Sequence, residues 1–146
     1  MTLLTAEQIE AVVCQNVGVA SRPHFEVLAV GDDSAEIRLP YSPGMTRLGD
    51  TVSGPVLMTA ADAAMYAAII AHVPGGEYAV TSHFHIDFLS RPGPVDVLAR
   101  AHILRAGRRS VTCRVELFSG DFDTLVAHVS GAYARMTSAT SGVSQP

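Results

Sequence analysis

Polar and apolar positions alternate most cleanly between Tyr78 and Leu89, the period of a strand with one face on a core. Phe84, Ile86 and Phe88 fall on one side of that pattern, facing the core. Thr81, His83, His85 and Asp87 fall on the other. Three more extended segments follow: 95–105 after "SRPGP", 110–118 after an Ala-Gly turn, and 124–136 after "SGDFD". The short turns among these last four strands predict a meander. Upstream, Ser53 to Val73 shows no such alternation. It is mostly apolar and rich in alanine, with Ser53 or Gly54 at its cap, Pro55 in its first turn and Pro74-Gly75-Gly76 beyond its end, and so predicts one long helix. Before it, "HFEVLAVGDDSAEIRLPY" reads as two strands, 24–30 and 34–39, around a Gly-Asp-Asp turn. Tyr41 to Thr51 carries Pro43, Gly44 and Gly49 and reads as an ordered loop. At the N-terminus, Thr5 with Gln8 three residues later is a capping-box pattern, and Glu7 suits the first turn of a helix running to about Gln15. Helix, two strands, long helix, four strands predicts an α+β fold: an antiparallel sheet wrapped around a central helix.

Size and charge narrow the function. The 146 residues fit a single domain, 1–146, with an N-terminal helical segment over about 1–20 and a small, polar, frayed tail over 137–146. Few charged residues and a formal net charge of -4 exclude a disordered chain and a nucleic-acid-coating one. High apolar content at low charge hints at apolar surface buried between subunits. Cys14 and Cys113 lie far apart and suggest no disulfide. The N-terminus lacks a basic region and places Glu7 and Glu10 early, unlike a signal peptide, and Ser53 to Val73 is a weak membrane span because it holds Asp62 and His72. The expected location is the cytoplasm, with no membrane and no nucleic-acid partner.

Asp62 is the position that the pattern does not explain. Met58, Thr59, Met65 and Tyr66 stand at its i−4, i−3, i+3 and i+4 positions, so no basic residue shares its helix face. A carboxylate in a partly apolar cleft can serve as a base toward water, and a solvated helix residue is the bland alternative.

The stretch 49–71 resembles the phenylacetate-pathway (PaaI-like) type of acyl-CoA thioesterase, and the order of elements resembles the hotdog fold. That family usually shows His-Gly-Gly, six residues, then Asp on the central helix. Ser53, Gly54, Pro55 and Asp62 occupy those places here. The segment "VTSHFHIDFLSRPGPVDVLARAHILRAGRR" resembles the family's next two strands. The resemblance implies an acyl-CoA thioesterase releasing a free acid and coenzyme A, with Asp62 as general base or nucleophile and the Gly54 amide in the oxyanion site. Arg47 matches a position that often carries an asparagine or glutamine handling the carbonyl or the water. Thr81 matches a water-positioning hydroxyl, and Tyr66 a site-lining residue. Ser53, Pro55 and Met58 would contact substrate, and Arg108 or Arg109 the phosphates of coenzyme A.

Gly54 and Asp62 are eight residues apart, about 12 Å along a helix. The family meets this by dimerisation, one subunit's helix start facing the other's carboxylate, which implies a homodimer or a dimer of dimers. No cofactor is expected beyond the coenzyme A of the substrate. His83 and His85 lack a third ligand at motif spacing, so no metal is expected. Met58, Met65, Tyr66, Ile69 and Ile70 suggest an apolar acyl lining. The competing readings are a non-catalytic acyl-CoA-binding or regulatory hotdog protein, a structural oligomer and a hotdog hydratase. The last would want a histidine working with the aspartate, and His72 lies beyond that place.

Overall fold

The structure is a computed structural model that describes residues 3–16 and 24–136. The expected tail at 137–146 therefore lies outside the described residues, as do residues 17–20 of the N-terminal segment. Helix α1 spans Ala6–Asn16. Its capping box is formed in both directions: the Thr5 amide donates to Gln8 Oε1 at 2.9 Å, and the Gln8 amide to Thr5 Oγ1 at 3.2 Å. Ile9 and Val13, one turn apart, are the residues it buries.

Strands β1 (Glu26–Val30) and β2 (Ser34–Leu39) form the expected hairpin. The loop that follows has more structure than expected. A 3₁₀ turn at Pro43–Met45 leads into a two-residue hairpin, β3 (Thr46–Arg47) with β4 (Thr51–Val52). Its tip uses Gly49 and Asp50 at positive φ, a conformation that glycine adopts without Cβ strain.

Helix α2 runs Gly54–His72 with Ser53 as N-cap residue and Pro55 in its first turn. It is buried almost all round from Leu57 to Ala71. Seven alanines lie in that span and let the sheet approach on several sides of the helix at once. By length and composition the helix is apolar enough to cross a membrane, yet most of it is buried within this fold.

A six-stranded antiparallel sheet wraps it in the order β1-β2-β6-β7-β8-β5, where β5 is Val80–Phe88, β6 Val97–Ala106, β7 Ser110–Ser119 and β8 Leu125–Ala134. Strand β7 shows why the sheet has one apolar face: Val111, Cys113, Val115 and Leu117 are buried at alternate positions against the helix. One expectation is corrected. Only β6-β7-β8 is a meander; β5 pairs with β8 and lies at the sheet edge. The connection from β5 explains this. The Leu89 and Ser90 amides both donate to the Val126 carbonyl beside β8, and Pro92 and Pro94 have no amide to offer a tight hairpin with β6. The chain crosses over, and β2 takes the place beside β6.

Candidate functional site

Asp62 sits in the third turn of α2 and lines a cavity of about 310 Å³, with Tyr66, Tyr78, Thr81 and Tyr133 among its walls. Its Oδ1 accepts two hydrogen bonds, from Thr81 Oγ1 at 2.8 Å and from the Tyr133 hydroxyl at 2.7 Å. The same phenol lies 3.1 Å from the Asp62 carbonyl oxygen. Asp62 is only partly buried and makes no ion pair among the described residues.

Thr81 reaches Asp62 through a departure from the sequence pattern. A β-bulge falls between Thr81 and His83, where Thr81 pairs with Tyr133 and His83 with Ala132. The extra residue shifts the alternation by one. Thr81 therefore shares the helix-facing side with Tyr133, while His83, His85 and Asp87 lie on the outer face. The expectation of one face for all four is corrected. Phe84 and Ile86 pack on the core as expected, but Phe88, at the strand end, stays 54% exposed.

Tyr66, one turn after Asp62, lines the cavity and stacks on Tyr133 with ring centroids 6.1 Å apart and planes 16° apart. Its hydroxyl donates to the Glu77 carbonyl at 2.8 Å. Burial, and secondarily the Glu77 charge, raises the Tyr66 phenol to about 12. Burial raises Tyr133 further, with the neighbouring Asp62 charge adding to it. Both phenols therefore remain protonated donors through the neutral range. The other residues of the expected apolar lining do not line this cavity. Met65, Ile69 and Ile70 are buried in the core, and Met58 is exposed without lining this cavity.

Gly54 lies elsewhere, in a second cavity of about 470 Å³ lined by Arg47, Leu48, Thr51, Phe88 and Arg91 among others. The Ser53 carbonyl accepts the Val56 and Leu57 amides, and Pro55 has none, so the Gly54 amide is the donor left at the mouth of the helix. Ser53 holds the cap position through its backbone; its side chain makes no capping bond. The hairpin bearing Arg47 is anchored to the crossing connection, with Thr51 Oγ1 donating to the Pro92 carbonyl at 2.8 Å and Arg91 Nη2 to the Gly49 carbonyl at 2.6 Å. Arg47 is exposed at the helix start and does not pair with Asp62 within the chain.

Of the basic positions, Arg108 and Arg109 are exposed on the turn between β6 and β7 and line neither cavity. Arg100 is not part of that turn. It pairs with Glu36 at 2.6 Å across β2 and β6 and packs over the Phe118 and Phe122 rings. Sequence reasoning missed Tyr133. The usable signal was a tyrosine on an alternating strand, since a buried phenol needs a polar partner.

A helix wrapped by an antiparallel sheet, with a hydrogen-bonded carboxylate on the helix, defines a hotdog fold with the makings of a hydrolytic site. The model of the thioesterase superfamily matches residues 49–126, more than half of the chain. The chain belongs to that superfamily and is a thioester hydrolase of the PaaI-like hotdog type. A provisionally named thioesterase from Silicibacter sp. TM1040 is 29% identical, with a TM-score of 0.79 over 92% of this chain and 93% of that one. A variant of phenylacetic acid degradation protein PaaI from Thermus thermophilus is 27% identical, with a TM-score of 0.65 over 77% and 93%. The PaaI protein of E. coli, at 20% identity, shares the fold, with a TM-score of 0.70 over 89% and 92%. A comparison with curated protein sequences finds no match.

Proposed function

We propose that this chain hydrolyses acyl-CoA thioesters as a homodimer, with Asp62 of one subunit and the Gly54 amide of the other in each site. The observation that carries the reading is the Asp62 carboxylate, held by two hydroxyls in an open cavity at the helix position where the family resemblance puts its catalytic aspartate. Asp62 takes a proton from water as the oxygen attacks the thioester carbonyl carbon. Negative charge then develops on the carbonyl oxygen, where an unpaired amide at a helix start stabilises it most. Collapse breaks the carbon–sulfur bond, and the proton on Asp62 passes to the departing thiolate. In the nucleophilic variant, the carboxylate attacks first and water resolves the mixed anhydride.

Two features support a shared site. Gly54 and Asp62 open into different cavities of one chain, so one carbonyl does not meet both within it. Strand β5 is an edge strand with Val80 and Phe88, and Leu89 just beyond it, about half exposed, a surface suited to pairing with a second copy. Arg47 and Arg91 at the helix start give that cavity a positive rim suited to the phosphates of coenzyme A.

Asp62→Asn keeps the shape and removes the base. The expected loss of acyl-CoA turnover is roughly 10²–10⁴-fold, the usual share of a positioned general base. Hydrolysis is followed by release of free thiol across aryl, short, medium and long acyl-CoAs. Turnover by Asp62→Asn at the wild-type rate overturns the mechanism. Binding of acyl-CoA by the wild type without thiol release overturns the activity.

A further inference from the structure

We infer that Tyr133 is a positioning residue for Asp62: with Thr81, it occupies Oδ1 and leaves Oδ2 as the carboxylate oxygen presented to the cavity. This rests on the role proposed above for Asp62. Tyr133 and Thr81 are cross-strand partners on β8 and β5, and the bulge after Thr81 brings its hydroxyl to the side that Tyr133 faces through the alternation of β8. They converge on a single oxygen at 2.7 and 2.8 Å. No hydrogen bond to Oδ2 is made among the described residues. A phenol has one proton, and an anionic carboxylate oxygen at 2.7 Å attracts it more than an amide carbonyl at 3.1 Å. The Asp62 carbonyl contact then marks how closely the phenol is seated over this turn of the helix.

The ring is itself held in place. Tyr133 is 3% exposed, stacks on Tyr66, and Tyr66 is tied by its hydroxyl to the Glu77 carbonyl. A carboxylate on an aspartate side chain can otherwise rotate about its last bond and exchange its oxygens. Two donors on one oxygen remove that freedom, and base catalysis depends on such orientation. A sheet hydroxyl and a buried phenol thus choose which oxygen meets the water.

Tyr133→Phe fills the same space without the donor. The expected result is a fall in kcat of roughly 10- to 100-fold, the scale of a misplaced catalytic group. The Kd for a non-hydrolysable thioether analogue of the acyl-CoA, measured calorimetrically, should stay within about threefold of wild type if the phenol acts through Asp62 rather than on substrate. Thr81→Val supplies a second test at an exposed strand position, should Tyr133→Phe fail to fold. It should lower kcat in the same way, and Thr81→Ser, which keeps the hydroxyl, should restore it. Unchanged kcat in Tyr133→Phe overturns the inference. So does a parallel loss of kcat and analogue binding, which marks a substrate contact or a structural role. The two proposals separate cleanly. If Asp62→Asn is inactive and Tyr133→Phe is fully active, only the positioning role falls; if Asp62→Asn is fully active, the catalytic reading falls.

Discussion

Gly131 is where the packing of this fold can be tested most sharply. It lies on the inner side of β8, between Cys113 of β7 and Phe84 of β5, opposite the helix. A Cβ built there would sit 2.7 Å from Met65 Sδ, 2.9 Å from Met65 Cε and 3.1 Å from the His83 carbonyl oxygen. Ordinary contact begins at about 3.4 Å. Met65 is fully buried on α2, so its thioether has core on its other sides. The His83 oxygen belongs to the neighbouring strand and yields less readily. Replacing Gly131 by alanine therefore sets two effects against each other. Reduced freedom of the unfolded chain stabilises by about 0.4–1 kcal/mol, and overpacking a filled core costs about 1–3 kcal/mol. The clash wins, and the expected net destabilisation is about 1–2 kcal/mol.

The assay is urea denaturation followed by circular dichroism at fixed protein concentration, because the stability of the proposed dimer would depend on concentration. The cycle with Met65 isolates the cause. Met65→Ala alone should cost about 2–5 kcal/mol. In that background the penalty of Gly131→Ala should fall to a fraction of its value, since the two nearer atoms are gone and only the His83 oxygen at 3.1 Å remains. The packing also bears on the site. Met65 is one turn after Asp62, and Tyr133 is two residues after Gly131 on the same inner face. Pushing the helix off the sheet at Met65 should lengthen the Tyr133–Asp62 bond, and kcat should drop with stability. A Gly131→Ala protein at least as stable as wild type refutes the reasoning, as does an undiminished penalty in the Met65→Ala background.

Two further predictions follow from the site and the core. If each site takes Gly54 from one subunit and Asp62 from the other, Asp62→Asn and Gly54→Pro homodimers are each impaired. Unfolding and refolding them together should then restore up to about one quarter of wild-type activity, because half the dimers are mixed and each carries one intact site. No recovery on mixing, with mixed dimers shown to form, would place the whole site in one chain. The second concerns alkaline stability. Burial raises the Cys113 thiol from 9.0 to about 12 and the Tyr66 phenol from 10.0 to about 12. Above pH 9 the unfolded chain loses these protons while the folded chain keeps them. Unfolding is then favoured as pH rises, so stability should be full below pH 9 and fall progressively toward pH 12. Melts between pH 8 and 11 test this, and Cys113→Ala should flatten the earlier part of the fall; a flat wild-type profile would contradict it.

How much of this was legible in the sequence depends on whether a feature is local. The Thr5–Gln8 box, the start of α2 at Gly54 and the strands over 34–39 and 110–118 each follow from a few neighbouring residues, and the chain forms them as read. Asp62 stood out for a local reason as well, the absence of a basic residue on its helix face. What failed was long-range. Alternation in β5 gave the right period but the wrong face for Thr81, because one bulged residue, which no residue type announced, reverses every side chain beyond it. The partner of β5 was misread because hairpin logic favours the next strand, whereas the segment with the prolines after Leu89 carries the chain across to β6 and leaves β5 to pair with β8. Both errors concern the same strand, and together they hid Tyr133. Only when β5 pairs with β8, in a register that sets Thr81 beside Tyr133, do two hydroxyls from distant parts of the chain meet one oxygen of Asp62. The aspartate was readable because a helix presents it; its support was not, because that exists only once the sheet has closed.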